Sequence, residues 1–263
     1  TLPEMEPDTP NDNDAFARST AAGMQLGAFA GIRGLVRASL EVSASSASAL
    51  REMLAAPAFA SVSRLDLQVA GRAKDIFVAI SEAKQTAQIS ALRFSFSRRH
   101  DALDQSAGEA LADLLALPAL RELALSGNTL ADIAPLASTE ALGKITSLEF
   151  DNAITSEQLA TLLATPHIRA LRDLAITGST LSLDAVPIAD ASHLTSLKTL
   201  RIESAPRSWT MRHSGIRDQG CLALADAKHL TGLTTLALIR QELTVTGVEA
   251  LLRSPYLGAI THL

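Results

Sequence analysis

A six-residue apolar pattern, L-x-x-L-x-L with Ile, Val or Phe at some positions, returns nine times along this chain. It reads LVRASL from Leu35, VSRLDL from Val62, ISALRF from Ile89, LRELAL from Leu120 and ITSLEF from Ile145. It continues as LRDLAI from Leu171, LKTLRI from Leu197, LTTLAL from Leu233 and the opening ITHL from Ile260. Successive starts stand 27, 27, 31, 25, 26, 26, 36 and 27 residues apart. Alternation of apolar and polar residues inside each copy predicts a strand with one buried face. A period in this range means that no unit can bury its own apolar stripe, so neighbouring units must stack and share one core.

Helical spacing of apolar residues marks the stretches between strands, as in SEQLATLL from Ser156 and GVEALLRS from Gly247. Ser106 with Glu109, Thr155 with Gln158 and Thr246 with Glu249 have the spacing of capping boxes. In ADIAPLAS and DAVPIADA a proline interrupts the helical run and predicts a shorter turn. Each unit is therefore expected to be one strand plus one helix or turn.

LRELALSGNTL, from Leu120, resembles the leucine-rich-repeat signature, with Asn128 at the asparagine position. The unit length and SGIRDQGCLALADAKHLTGLTTLAL look like the ribonuclease-inhibitor type. The SPYLGAITHL tail and the Ala/Arg-rich composition are similar to bacterial members of that family. The resemblance covers roughly residues 35–263. It implies an α/β leucine-rich-repeat solenoid, a curved right-handed horseshoe with a parallel inner sheet and outer helices. The other units carry Ser43, Ala70, Ser97, Ala153, Ser179, Ala205 and Gln241 where the family has asparagine. The units up to about residue 115 are expected to be irregular.

Residues 1–14, acidic and Pro-containing, are expected to form a disordered leader, and the Ala-rich 15–34 an N-terminal capping helix. The repeat domain of about eight units then runs over 35–263. Its last copy stops at Leu263 in mid-strand, so a truncated or open C-terminal end is expected, through which copies could associate. The net charge of −5 falls mostly on the first 18 residues, leaving a nearly neutral body with no field to draw nucleic acid. No apolar run is long enough for a membrane-spanning helix.

Cys221 is the only cysteine, which excludes an intrachain disulfide and a thiolate metal centre. A lone cysteine fits a reducing cytosol, the compartment we expect, and equally a secreted chain without disulfides. No phosphate-binding glycine loop, H-E-x-x-H or G-x-S-x-G motif is present. His167, His193 and His229 each stand four residues before a strand's first apolar position. Their recurrence fits a packing role in the turn, with a stacked metal site as the alternative. No cofactor is expected.

Strand alternation also predicts which side chains the open face of the sheet shows. In its middle these include Glu122, Glu149, Asp151 and Asp173, expected to form a carboxylate cluster fit for a basic partner or simply solvated. Arg201 lies further along the same face. The two long intervals hold insertions that follow a strand, so both belong to one rim. One carries Arg98, Arg99 and His100; the other carries Arg207, Trp209, Met211, Arg212 and His213. Trp, Arg and Met are enriched at binding hot spots. The sole tryptophan among cations thus marks either a partner-binding loop or a residue folded back over a gap. The sequence points to a non-catalytic protein-binding scaffold, or a recognition module of a larger bacterial protein. A secreted effector's targeting domain, a self-assembling unit, and an enzyme using His100 and His213 are the alternatives.

Overall fold

The computed structural model describes residues 38–44, 46–96, 103–178, 185–204 and 215–262. The expected leader, the capping helix and both basic insertions lie outside the described residues.

Eight strands form one open, all-parallel sheet in strict chain order: β1 (Ala38–Ala44), β2 (Val62–Val69), β3 (Ala91–Phe96), β4 (Glu122–Ser126), β5 (Ser147–Asp151), β6 (Asp173–Gly178), β7 (Thr199–Ser204) and β8 (Thr235–Ile239). Each is followed by a helix: α1 (Ala47–Ala55), α2 (Ala73–Glu82), α3 (Gln105–Leu114), α4 (Ala134–Ser138), α5 (Ser156–Ala164), α6 (Val186–Asp190), α7 (Arg217–Asp226) and α8 (Val245–Arg253). Each helix packs on the next one along the chain. The arrangement is a sequential, solenoid-like α/β stack.

The apolar positions of the repeated pattern explain this layout. In β5, Leu148 and Phe150 are about 1 % exposed while Ser147, Glu149 and Asp151 are half-exposed. A sheet with helices on both faces would bury both sets, so the helices cover one face and leave the other to solvent. A backbone ladder just before the strands fixes the period. The amides of Ser90, Arg121, Thr146, Arg172, Lys198, Thr234 and Thr261 each donate to the residue one unit back, at 2.7–2.9 Å. The 31- and 36-residue units keep this ladder, so their extra length is taken up after β3 and β7.

Several sequence expectations need correction. The early units are more regular than expected: β1 and β2 show one register shift, at Ala38/Ser39, but β2 pairs with β3 in unbroken register, and α1 and α2 are full helices. Phe77, Phe94 and Phe96 fill this part of the core, with ring centroids 4.8 Å apart for Phe77–Phe94. Packing thus supplies the order that we expected asparagine to supply. The shortest helices are α4 and α6, where Pro135 and Pro187 sit in the first turn and begin a five-residue helix. A first-turn proline sacrifices no intrahelical bond, so it initiates here and does not interrupt.

The Thr155–Gln158 capping box forms in full. The other two do not. Asp104 caps α3 by accepting from the Ala107 amide, and Thr244 caps α8 by accepting from the Thr246 amide. Both true caps stand two residues ahead of the expected ones, Ser106 and Thr246. At the asparagine position of the eighth unit, Gln241 is 2 % exposed. Its amide donates to the carbonyls of Ile202 and Ile239 and to Ser204 Oγ, and it accepts from the Ile216 amide at 3.0 Å. The Gln241 side chain thereby ties the turn after β8 to β7 and to the start of α7.

Candidate functional site

Parallel registration places the outward side chains of the sheet in three rows. The first runs Arg64, Ala91, Glu122, Ser147, Asp173, Thr199, Thr235. The second runs Asp66, Arg93, Ala124, Glu149, Ala175, Arg201, Ala237, and the third Gln68, Ser95, Ser126, Asp151, Thr177, Glu203, Ile239. Neighbouring strands lie about 4.8 Å apart, so next-but-one strands are about 10 Å apart. An arginine and a glutamate can span that gap if the residue between them is small.

The face uses this geometry twice. Arg64 Nη2 donates to Glu122 Oε2 at 3.1 Å, passing over Ala91. Arg93 donates through both terminal nitrogens to Glu149, at 3.0 and 2.7 Å, passing over Ala124. The two alanines are only 4 % and 8 % exposed although they point outward, because the ion pairs arch over them. The hydrogen bond to Glu149 raises the pKa of Arg93, with the carboxylates of Glu149, Asp66 and Asp151 adding to it and burial opposing.

These pairs correct the expected carboxylate cluster. Glu122, Glu149, Asp151 and Asp173 fall in different rows or on strands two apart. Glu122 and Glu149 are neutralised from within by arginines two units upstream. Asp151 accepts from Ser126 Oγ at 3.0 Å and from Asn152 Nδ2 at 2.9 Å. Asp151 and Asp173 have no ion partner among the described residues. Sequence reading missed these pairs because it went along each strand. Read across units, Arg–Ala–Glu at successive equivalent positions is the signal.

Toward the end of the sheet, Glu203 is held between two arginines. Arg201 Nη2 donates to Glu203 Oε2, and Arg240 Nη1 donates to Glu203 Oε1 at 3.1 Å and to the Ser204 carbonyl. The Glu203 side chain is 15 % exposed while both arginines are about half exposed. Its pKa is lowered, first by the Arg201 hydrogen bond and then by the charges of both arginines. Arg240 follows β8 with φ 58°, the left-handed conformation that Gly127 and Asn152 adopt after β4 and β5. Arg98, Arg99, Arg207, Trp209, Met211, Arg212 and His213, proposed from sequence for the same rim, lie outside the described residues.

The helix side carries the remaining candidates. Cys221 is fully buried, and desolvation pushes its thiol up to about 11. A thiol in that state is not a nucleophile near neutral pH. Among the described residues, no three His, Cys, Asp or Glu side chains converge as a metal site would need. His229 Nε2 lies 3.2 Å from the Ile188 carbonyl, and His193 bonds the Leu163 carbonyl while its Nε2 is buried without a hydrogen-bond partner. Lys144 reaches the Leu117 carbonyl and Ser254 the Ala225 carbonyl in the same way. All four satisfy a carbonyl at or just past the end of the preceding unit's helix, where intrahelical partners run out. Their role is structural. A depression of about 150 Å³ between α1 and α2 is crossed by the Arg51–Glu82 pair and holds no convergent polar groups.

No family model and no curated protein matches the chain. Among the described residues, no helix is long and apolar enough to cross a membrane.

Proposed function

We propose that the chain is a leucine-rich-repeat solenoid, curved as a right-handed horseshoe, that binds a protein partner on the open face of its sheet and carries out no chemistry itself. One observation carries this reading. The outward rows of the parallel sheet are uncovered, yet six charged side chains on or beside them, Arg64, Glu122, Arg93, Glu149, Glu203 and Arg240, are held by pairs that span units. Side chains fixed in advance lose little conformational freedom on binding, which favours specific recognition. Floor residues Ala175, Thr177, Thr199 and Ala237 are small and leave room for a partner's side chains. Asp151 and Asp173 supply the negative charge in the middle, and Arg201 and Arg240 the positive charge near the end. As a recognition module in a larger protein, the chain would present this face as its working surface.

The test is capture of partners by the intact chain, by Asp173→Arg with Thr177→Arg on the open face, and by Ala164→Arg on the exposed side of α5. Thermal unfolding of all three serves as the folding control. The expected result is a partner retained by the intact chain and the α5 variant and lost by the face variant at unchanged stability. Retention by all three would overturn the assignment of the face.

A further inference from the structure

We propose that the rim of the stack where the strands begin binds an extended acidic protein segment, laid across β4 to β8. The backbone ladder that fixes the period puts one residue per unit on this rim. Its rungs here are Arg121, Thr146, Arg172, Lys198 and Thr234, each amide donating to the carbonyl of the rung before it, with Arg121 donating to Ser90. Adjacent rungs stand about 4.8 Å apart, so Arg172 and Lys198 are direct neighbours and Arg121 is two rungs from Arg172. The turns that lead into the strands add Lys144, Arg169 and Lys228, in the single-turn helices Glu140–Lys144, Pro166–Ala170 and Lys228–Gly232. Over residues 116–121, 139–146, 165–172, 191–198 and 227–234, the Lys, Arg, Asp and Glu residues are these six cations and one acid, Glu140. Lys144 is half-buried and the other five cations are exposed.

None of the six has an ion partner among the described residues, whereas Arg64, Arg93, Arg201 and Arg240 of the open face each hold a glutamate. Asp113, Asp190 and Asp226, in the last turns of α3, α6 and α7, pair with none of them. Arg121 donates to the Pro118 and Leu120 carbonyls, Lys144 to Leu117 and Lys198 to Gly232, which leaves their charges uncompensated. The pKa of Lys144 is lowered first by burial and then by the charge of Arg121. Like charges gathered on one edge attract an anion. From the Arg121 rung to the turn before β8 is four strand spacings, about 19 Å, which about six residues of extended chain cover. No Phe, Tyr or Trp stands in these five segments to stack on a base, and the net charge of −5 opposes a polyanion longer than the rim. The exposed large apolar residues of the described chain, Leu222, Val245, Val248 and Leu252, lie on α7 and α8, so the rim has none to insert into a lipid surface. The remaining anion of this kind is an acidic stretch of protein. The proposal is independent of the partner-binding reading, since these side chains stand at the edge of the sheet and not on its open face.

The experiment is fluorescence anisotropy of a labelled decaglutamate peptide titrated with the full chain at low ionic strength, with circular dichroism as the folding control. The expected result is saturable binding that weakens as salt is raised. Arg172→Gln with Lys198→Gln is expected to weaken it about tenfold. Arg51→Gln with Arg253→Gln, the same change of charge on α1 and α8, is expected to leave it within about twofold. Arg169→Gln with Lys228→Gln, outside the ladder, repeats the test should the first pair disturb the fold. Asp173→Arg with Thr177→Arg is expected to keep the binding, which separates this surface from the open face. No binding of decaglutamate overturns the proposal. So does equal loss in the rim and helix-side variants, which would mean a general charge effect. Tighter, rim-dependent binding of a deoxyoligonucleotide of equal charge or of phosphatidylserine vesicles also overturns it, by assigning the rim to another anion.

Discussion

Single side chains hold this stack together in two distinct ways, and they differ in what their loss costs. Gln241 is buried and makes four hydrogen bonds, one of them to the otherwise unsatisfied Ile216 amide. Gln241→Ala leaves that donor and two carbonyls without it, so the expected destabilisation is about 3 kcal/mol, read from urea unfolding. The Arg93–Glu149 pair is bidentate, but both side chains are more than one-third exposed. A double-mutant cycle with alanine at both positions should give a coupling below about 1 kcal/mol that shrinks as salt is raised. The pair fixes the shape of the face more than it stabilises the fold. His193 and His229 have lowered pKa values, chiefly because burial disfavours the imidazolium. A depressed folded pKa means that the unfolded chain binds protons first as pH falls. Stability is therefore full above the ordinary histidine value of about 6.5 and declines as pH drops below it toward the folded values. Thermal unfolding between neutral and mildly acidic pH should show this slope, and His193→Gln with His229→Gln should flatten it.

Helices and strands were legible in the sequence to different degrees. The strands and their buried faces could be read directly, because a two-residue alternation nested in a long period leaves one register that buries every Leu. Helix starts were less legible. At α3 and α8 the expected caps, Ser106 and Thr246, fall inside the helix, and Asp104 and Thr244, two residues earlier, cap it instead. Only at α5 was the reciprocal Thr155–Gln158 box unambiguous, and Gln158 also donates to the Leu130 carbonyl of the unit before. Thr155→Ala should cost about 1 kcal/mol through the lost cap. Gln158→Ala should cost at least as much because it also severs the link to the neighbouring unit, and chemical denaturation of the two variants compares them. The arrangement of the open face was the least legible part. It depends on which side chains meet across skipped strands, and no single unit contains that information.

Across the whole molecule, every strand pairs only with its chain neighbours, so stability is close to a sum over adjacent units and opening can begin at an end. Cys221 reports on this. Buried and with a raised pKa, it should resist thiol reagents in the native chain and react when the last units open. Its labelling in mild denaturant should outrun that of a cysteine placed at the buried Ala79 position in a Cys221→Ala background. Equal rates would mean that the stack opens as one unit. The arginines that reach over an alanine to a glutamate two strands away have a longer consequence. Repeat proteins change length by duplicating or deleting single units, and a uniform stack would tolerate that anywhere. Here a deletion of one unit between β2 and β5 would set Arg64 or Arg93 against the wrong neighbour and leave a glutamate uncompensated. The exposed face is spelled in words three units long, so this segment can be inherited only in blocks, while the core beneath it could be copied one unit at a time.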